Sequence, residues 1–161
     1  MIARIGWVLP SITISLSTIL HIISGEYRAF PFFISETDYP GLQRIIFTGG
    51  LCITGILVVI ISWKLFAKNK SKTRWYWMEL SMLSGVFAGI NISLMSFMDM
   101  YDHLDMHITT SMNVFYFGLG WCFTTHLAMK HGNEKGKRFR YASVSLGCLL
   151  YTSDAADERL R

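Results

Sequence analysis

Four long uncharged runs restrict what this chain can fold into more than any other feature. Ile5 to Ser24, Ile45 to Trp63, Leu80 to Met98 and Ile108 to Met129 hold no Asp, Glu, Lys or Arg. At ~1.5 Å per helical residue, about 20 residues cover a hydrocarbon core of roughly 30 Å, so each run is long enough to cross a bilayer. Backbone polar groups in lipid must pair internally, which makes such spans helices. The reading is an all-α fold, a polytopic membrane helix bundle. It has four complete transmembrane helices at about 5–24, 45–66, 77–98 and 107–129, and the start of a fifth at 139–147. Composition agrees, because 52% of the 161 residues are apolar and only 16% are charged, with the charges bunched between the runs.

The first run follows a single cation, Arg4, as a secretory signal would. Its apolar part exceeds the ~7–15 residues of a signal core, no small-residue cleavage site follows His21, and further spans come after it, so it reads as a signal anchor. Cys52 and Cys122 fall inside spans as small apolar groups and do not form a disulfide framework. The segment Cys148-Leu-Leu-Tyr-Thr-Ser-Asp-Ala-Ala-Asp-Glu158 resembles the translation of a transposon-end adapter used for sequencing libraries. Residues 1–147 are therefore expected to be the multi-pass membrane domain and 148–161 an adapter-derived tail, with the native chain continuing past Gly147. Without that tail the net charge of +4 rises by one.

Charge sets the orientation. Lys64 to Arg74 carries five cations and no acid, and Lys130 to Arg140 carries five cations against Glu134 alone. Gly25 to Arg44 is nearly balanced, while Met98 to His107 holds Asp99, Asp102 and Asp105 with no cation. The positive-inside rule puts the amino terminus and both basic loops in the cytosol and the other two loops outside or in a lumen. Trp7, the Trp75-Tyr-Trp77 group and Tyr101 fall at predicted water boundaries. The sequons at Asn69 and Asn91 are then cytosolic and intramembrane, and neither is expected to be glycosylated. The expected partners are membrane lipids, other membrane proteins or a second copy of the chain; nucleic acid is not among them. The compartment, whether lysosome, Golgi, endoplasmic reticulum or plasma membrane, stays undecided.

Within the third span Ser81, Gly85, Gly89 and Ser93 recur every four residues, a stripe that lets a neighbouring backbone approach closely. Packing inside the bundle and a homodimer seam both suit it. In the first span Ser11, Ser15, Thr18 and His21 share a helical face that is expected to point inward; Asn91, Asn113 and His126 are further buried polar candidates. No charged residue sits at the centre of a span, which argues against an ion pump or proton relay.

The loop Pro31-Phe-Phe-Ile-Ser-Glu-Thr-Asp-Tyr-Pro40 sets an apolar knob beside Ser35, Glu36, Thr37 and Asp38 before Pro40-Gly41 turns the chain back. Its Ser and Thr are expected to cap the next helix. Across from it, Asp99, Asp102, His103, Asp105 and His107 bring three carboxylates and two imidazoles within nine residues. Such side chains bind divalent metals and do acid-base work, so Asp102, Asp105 and His107 are the catalytic candidates. A continuous exposed acidic loop more often only solvates a helix junction, and neither a metal nor a cofactor is expected.

These loops resemble the superfamily of Frag, DRAM (damage-regulated autophagy modulator) and Sfk proteins, which includes the amino-terminal domain of the yeast cell-wall-biogenesis Cwh protein. Members carry a Pro-x-x-Ile-Ser-Asp-Thr-Gly type motif followed by Pro. Here Pro31, Ile34, Ser35, Glu36, Thr37 and Pro40 match it, with Glu36 for the common Asp and Asp38 where the autophagy branch has Gly. A His opening the fourth helix with an aromatic eight residues on is matched by His107 and Phe115. The resemblance implies six helices and a role at endomembranes or the plasma membrane. Its branches imply autophagy modulation, phosphoinositide and lipid organisation, or GPI-anchor lipid remodelling, and Asp38 leaves the branch open. The leading expectation is a non-enzymatic membrane protein acting through lipid or protein contacts of the Pro31–Pro40 loop. The alternative is a GPI-anchor lipid-remodelling factor or enzyme subunit in which Asp102, Asp105 and His107 face Ser35 and Glu36 across an external pocket.

Overall fold

A computed structural model describes residues 2–27, 34–129 and 134–158, with side chains as far as Leu146. Five helices follow in order: α1 (Ile2–Ser24), α2 (Leu42–Asn69), α3 (Trp75–Phe97), α4 (Leu104–Ala128) and α5 (Glu134–Glu158), with a 3-10 turn at Ile34–Asp38 between α1 and α2. Among the described residues there is no strand. The helix positions follow the apolar runs closely, because the short polar connections Lys70–Arg74 and Met98–His103 interrupt them where the charges cluster.

Among the described residues three helices, α1, α2 and α3, are long and apolar enough to cross a membrane. α4 is 25 residues long, but Thr109, Thr110, Ser111 and Asn113 dilute its apolar content, and it is not one of the three. The stretch 139–147 lies inside α5, whose backbone runs on without a break through the adapter-like residues to Glu158.

Successive helices pack antiparallel. Among the described residues each contacts only its neighbours in the chain, so the array is serial: α1 on α2, α2 on α3, α3 on α4, α4 on α5. The seams are built from small and polar residues. A Cβ on Gly89 would lie 2.6 Å from the Gly55 carbonyl oxygen and 2.8 Å from Val59, so α2 and α3 approach there almost backbone to backbone. Gly85 faces Ser62 and Trp121, and Ser93 Oγ donates to the Cys52 carbonyl at 3.3 Å. Ser81 turns to α4 instead, 2.6 Å from Thr125 Oγ1. Within one chain, then, the four-residue stripe is already covered by α2 and α4.

On α1 the inward face keeps part of the expected one: His21 is buried and Thr18 half-buried. Thr13 and Ser17 are buried in place of Ser11 and Ser15, which are exposed, and Ser11 Oγ donates back to the Trp7 carbonyl at 3.1 Å. Position 13 is selected by Gly50 of α2, whose missing side chain leaves room for Thr13, and position 17 by the start of α2, where Ser17 Oγ donates to the Gln43 carbonyl at 3.3 Å. Asn91 is buried and bonds the Phe87 carbonyl at 2.8 Å, and Asn113 and His126 are half-buried. The outward faces carry the large apolar side chains: Ile12, Leu16, Ile19 and Ile23 on α1, Ile53, Ile56 and Ile60 on α2, Leu83, Phe87 and Leu94 on α3. This is the reverse of the distribution in a water-soluble helix array.

Candidate functional site

The antiparallel order puts the end of α1, the start of α2, the end of α3 and the start of α4 at one end of the molecule. Two segments meet there, the 3-10 turn with its exit to α2 and the α3–α4 loop. Gly25, at φ +72°, ends α1 in a conformation that favours glycine. In the turn itself Thr37 Oγ1 donates to the Ile34 carbonyl at 2.6 Å. Neither Ser35 nor Thr37 caps α2, since its N-cap is Gly41, with no side-chain cap. Gly41 has φ +143°, and a Cβ there would lie 2.8 Å from Gln43 Oε1, so the chain reverses where only glycine fits.

One turn into α2, Arg44 ties both segments together. Its Nε donates to the Asp38 carbonyl at 3.1 Å and lies 3.7 Å from Asp38 Oδ1, while Nη2 lies 3.6 Å from Asp99 Oδ1. Asp99 Oδ1 also accepts the backbone N–H groups of Tyr101 at 2.9 Å and Asp102 at 2.7 Å, which shapes the turn into α4. Tyr101 reaches the other way and donates its hydroxyl to the Glu36 carbonyl at 3.1 Å. The Tyr39 ring sits between those of Tyr101, edge-on at 5.4 Å, and His21 at 5.9 Å, and its hydroxyl donates to Glu26 at 3.3 Å.

The two bridged carboxylates are unlike each other. Asp38 is 1% exposed and its carboxyl oxygens accept no hydrogen bond. Burial pushes its pKa up to about 7, with Arg44 pulling down and the charge of Asp99 pushing further up. For Asp99 burial also acts upward, but the N–H donors of Asp102 and Tyr101, helped by the charges of Arg44 and His103, hold it below the usual carboxylate range.

Of the residues singled out in the sequence, Glu36 and Thr37 are buried, Ser35 is half-buried, and Ile34 and Pro40 are exposed. Pro31 lies outside the described residues. His107 is buried and donates its Nδ1–H to the Met98 carbonyl at 2.6 Å, while Phe115 is exposed on α4. Asp102 and Asp105 are exposed, and the carboxylate of this loop that reaches Arg44 is that of Asp99. Among the described residues no group of three or more His, Cys, Asp or Glu is placed to hold a metal ion. In the sequence Arg44 is one charge of a nearly balanced loop. The signal that could have found it is its place in the first turn of α2, the only cation there, six residues after Asp38. No family model, curated protein or solved structure matches this chain.

Proposed function

We propose that this chain is a multi-pass membrane protein of the Frag/DRAM/Sfk type that acts in membrane-lipid organisation or autophagy and lysosome regulation. It works through lipid or protein contacts made at the end where the 3-10 turn meets the α3–α4 loop. α1 to α4 cross the membrane, α5 begins a fifth span, and the amino terminus lies in the cytosol with the Lys64–Arg74 and Lys130–Arg140 loops. The apolar outward faces of α1, α2 and α3 support the membrane reading, since lipid and not water then covers Ile, Leu and Phe.

The observation that carries the site is the junction itself. The motif residues Glu36 and Thr37 are buried, and their turn is tied to the segment that leads to His107 by Tyr101, which donates to the Glu36 carbonyl, and by Arg44 between Asp38 and Asp99. Residues placed this way build one continuous face from two loops. The exposed Asp102 and Asp105 and the backbone-bonded His107 do not converge on one point, which favours a contact role over an enzymatic one.

Lipid analysis of cells carrying Glu36→Ala or His107→Ala tests this. Unchanged GPI-anchor lipid composition, with loss of crosslinking to a photoactivatable phospholipid or partner at this end, is the expected result. Altered anchor lipids would favour a remodelling enzyme instead.

A further inference from the structure

We propose that Asp38, Arg44 and Asp99 form a proton-operated clasp between the 3-10 turn and the α3–α4 loop, closed when Asp38 is protonated and loosened when it is ionised. The geometry has one guanidinium facing two carboxylates. Asp99 has other support, two backbone N–H donors to Oδ1, and its side chain is 12% exposed. Asp38 has none: its side chain is 1% exposed, neither oxygen accepts a hydrogen bond, and its counter-charge stands 3.7 Å away. With both carboxylates ionised, one guanidinium is shared between two negative charges, one of them in a closed place. A proton on Asp38 ends that sharing and leaves Arg44 to Asp99.

Among the described residues Arg44 is the one cation in ion-pair contact with Asp38. Elements packed on the turn are α1 and α2, and Tyr101 joins it from the α3–α4 loop. α1 brings the buried His21, with Glu26 beyond its end taken by Tyr39; α2 brings Arg44; the turn itself adds Glu36. From the α3–α4 loop come Asp99, the exposed Asp102 and the exposed His103, whose charge acts on Asp99; at the start of α4, Asp105 is exposed and His107 is bonded to Met98.

Burial pushes Asp38 up to about 7 in the closed form, above its ordinary value of 3.8. The closed form therefore binds the extra proton. Its advantage is complete below the ordinary value and is lost as pH rises through about 7. Opening would separate Tyr101 from Glu36 and part the Tyr39–Tyr101 ring pair, so this end would present one surface in acid and another above neutrality.

Hydrogen–deuterium exchange on the full chain in lipid nanodiscs, corrected for intrinsic rates, tests the clasp at amides 35–38 and 101–103. Between pH 6 and pH 8 protection should fall about tenfold, the linkage expected of one proton lost near pH 7. Asp38→Asn, a neutral stand-in, should keep its protection at both pH values. Asp99→Asn leaves Arg44 to Asp38 alone, so the midpoint should move to lower pH; this variant carries the test if Asp38→Asn fails to fold. Equal wild-type protection at the two pH values, a tenfold fall retained in Asp38→Asn, or an unmoved midpoint in Asp99→Asn would each overturn the proposal.

Discussion

The α2–α3 seam and the loop end hold the same helices together by opposite means. At the seam the contact depends on atoms that are missing: Gly55 and Gly89 let two backbones meet, and Gly85 makes room for Ser62 and Trp121. At the loop end it depends on charges and long polar side chains, with Arg44 spanning two carboxylates and Tyr101 crossing to Glu36. Dispersion at a close backbone contact is indifferent to pH and salt. A charge cluster with a shifted carboxyl is not. The seam can therefore serve as a fixed frame, while the loop end can respond to its surroundings.

The largest expected effect lies in the frame. Gly89→Leu places a side chain where a Cβ already meets the Gly55 carbonyl, so α2 and α3 must separate. Overpacking of this kind costs about 3 kcal/mol. Thermal unfolding in nanodiscs should show that loss equally at pH 6 and pH 8, and a pH-dependent loss would break the contrast between the regions.

Arg44→Gln comes next. Removing one partner from a fully buried ion pair costs ~3–5 kcal/mol, and the 29% exposure of the Arg44 side chain reduces this to about 2 kcal/mol. The loss should be greater at pH 8 than at pH 6, because Asp38 is then ionised beside Asp99 with no cation between them. A loss independent of pH would mean that Arg44 acts by packing alone.

Tyr101→Phe removes one hydroxyl donor to the Glu36 carbonyl and keeps the ring against Tyr39. The expected cost is about 1 kcal/mol, that of one hydrogen bond. Its effect should appear as lower protection at residues 35–38 with none across 81–93, which sharpens the division between frame and loop end.

Much of the frame was legible in the sequence. Helix positions follow from where charges interrupt the apolar runs, and the Ser81–Ser93 stripe marks the close approach of α3 to its neighbours. The inward face of α1 was legible only at His21, because Thr13 and Ser17 are chosen by Gly50 and Gln43 of another helix and not by any pattern within α1. For α4, counting charges overstated its apolar character, since Thr, Ser and Asn lower hydropathy without adding charge.

The loop end was half legible. Both of its segments stood out, and the sequence assigned them to one side. Which acid would be used was not visible: Asp99, Asp102 and Asp105 are equivalent by composition. Only the turn into α4 aims Asp99 at Arg44 and leaves the other two in solvent. The capping role expected of Ser35 and Thr37 fell to no side chain, because Gly41 is the residue that can make the turn.

In the proposed topology both polar segments lie at one face of a membrane, away from the basic loops. Single cysteines at the exposed positions Glu26, Asp102 and Ser71, with Cys52, Cys122 and Cys148 changed to serine, test it by labelling with a membrane-impermeant maleimide in sealed vesicles. Positions 26 and 102 should label together from one side, and position 71 only from the other. Labelling of 26 and 102 from opposite sides, or of all three from one side, would contradict the account.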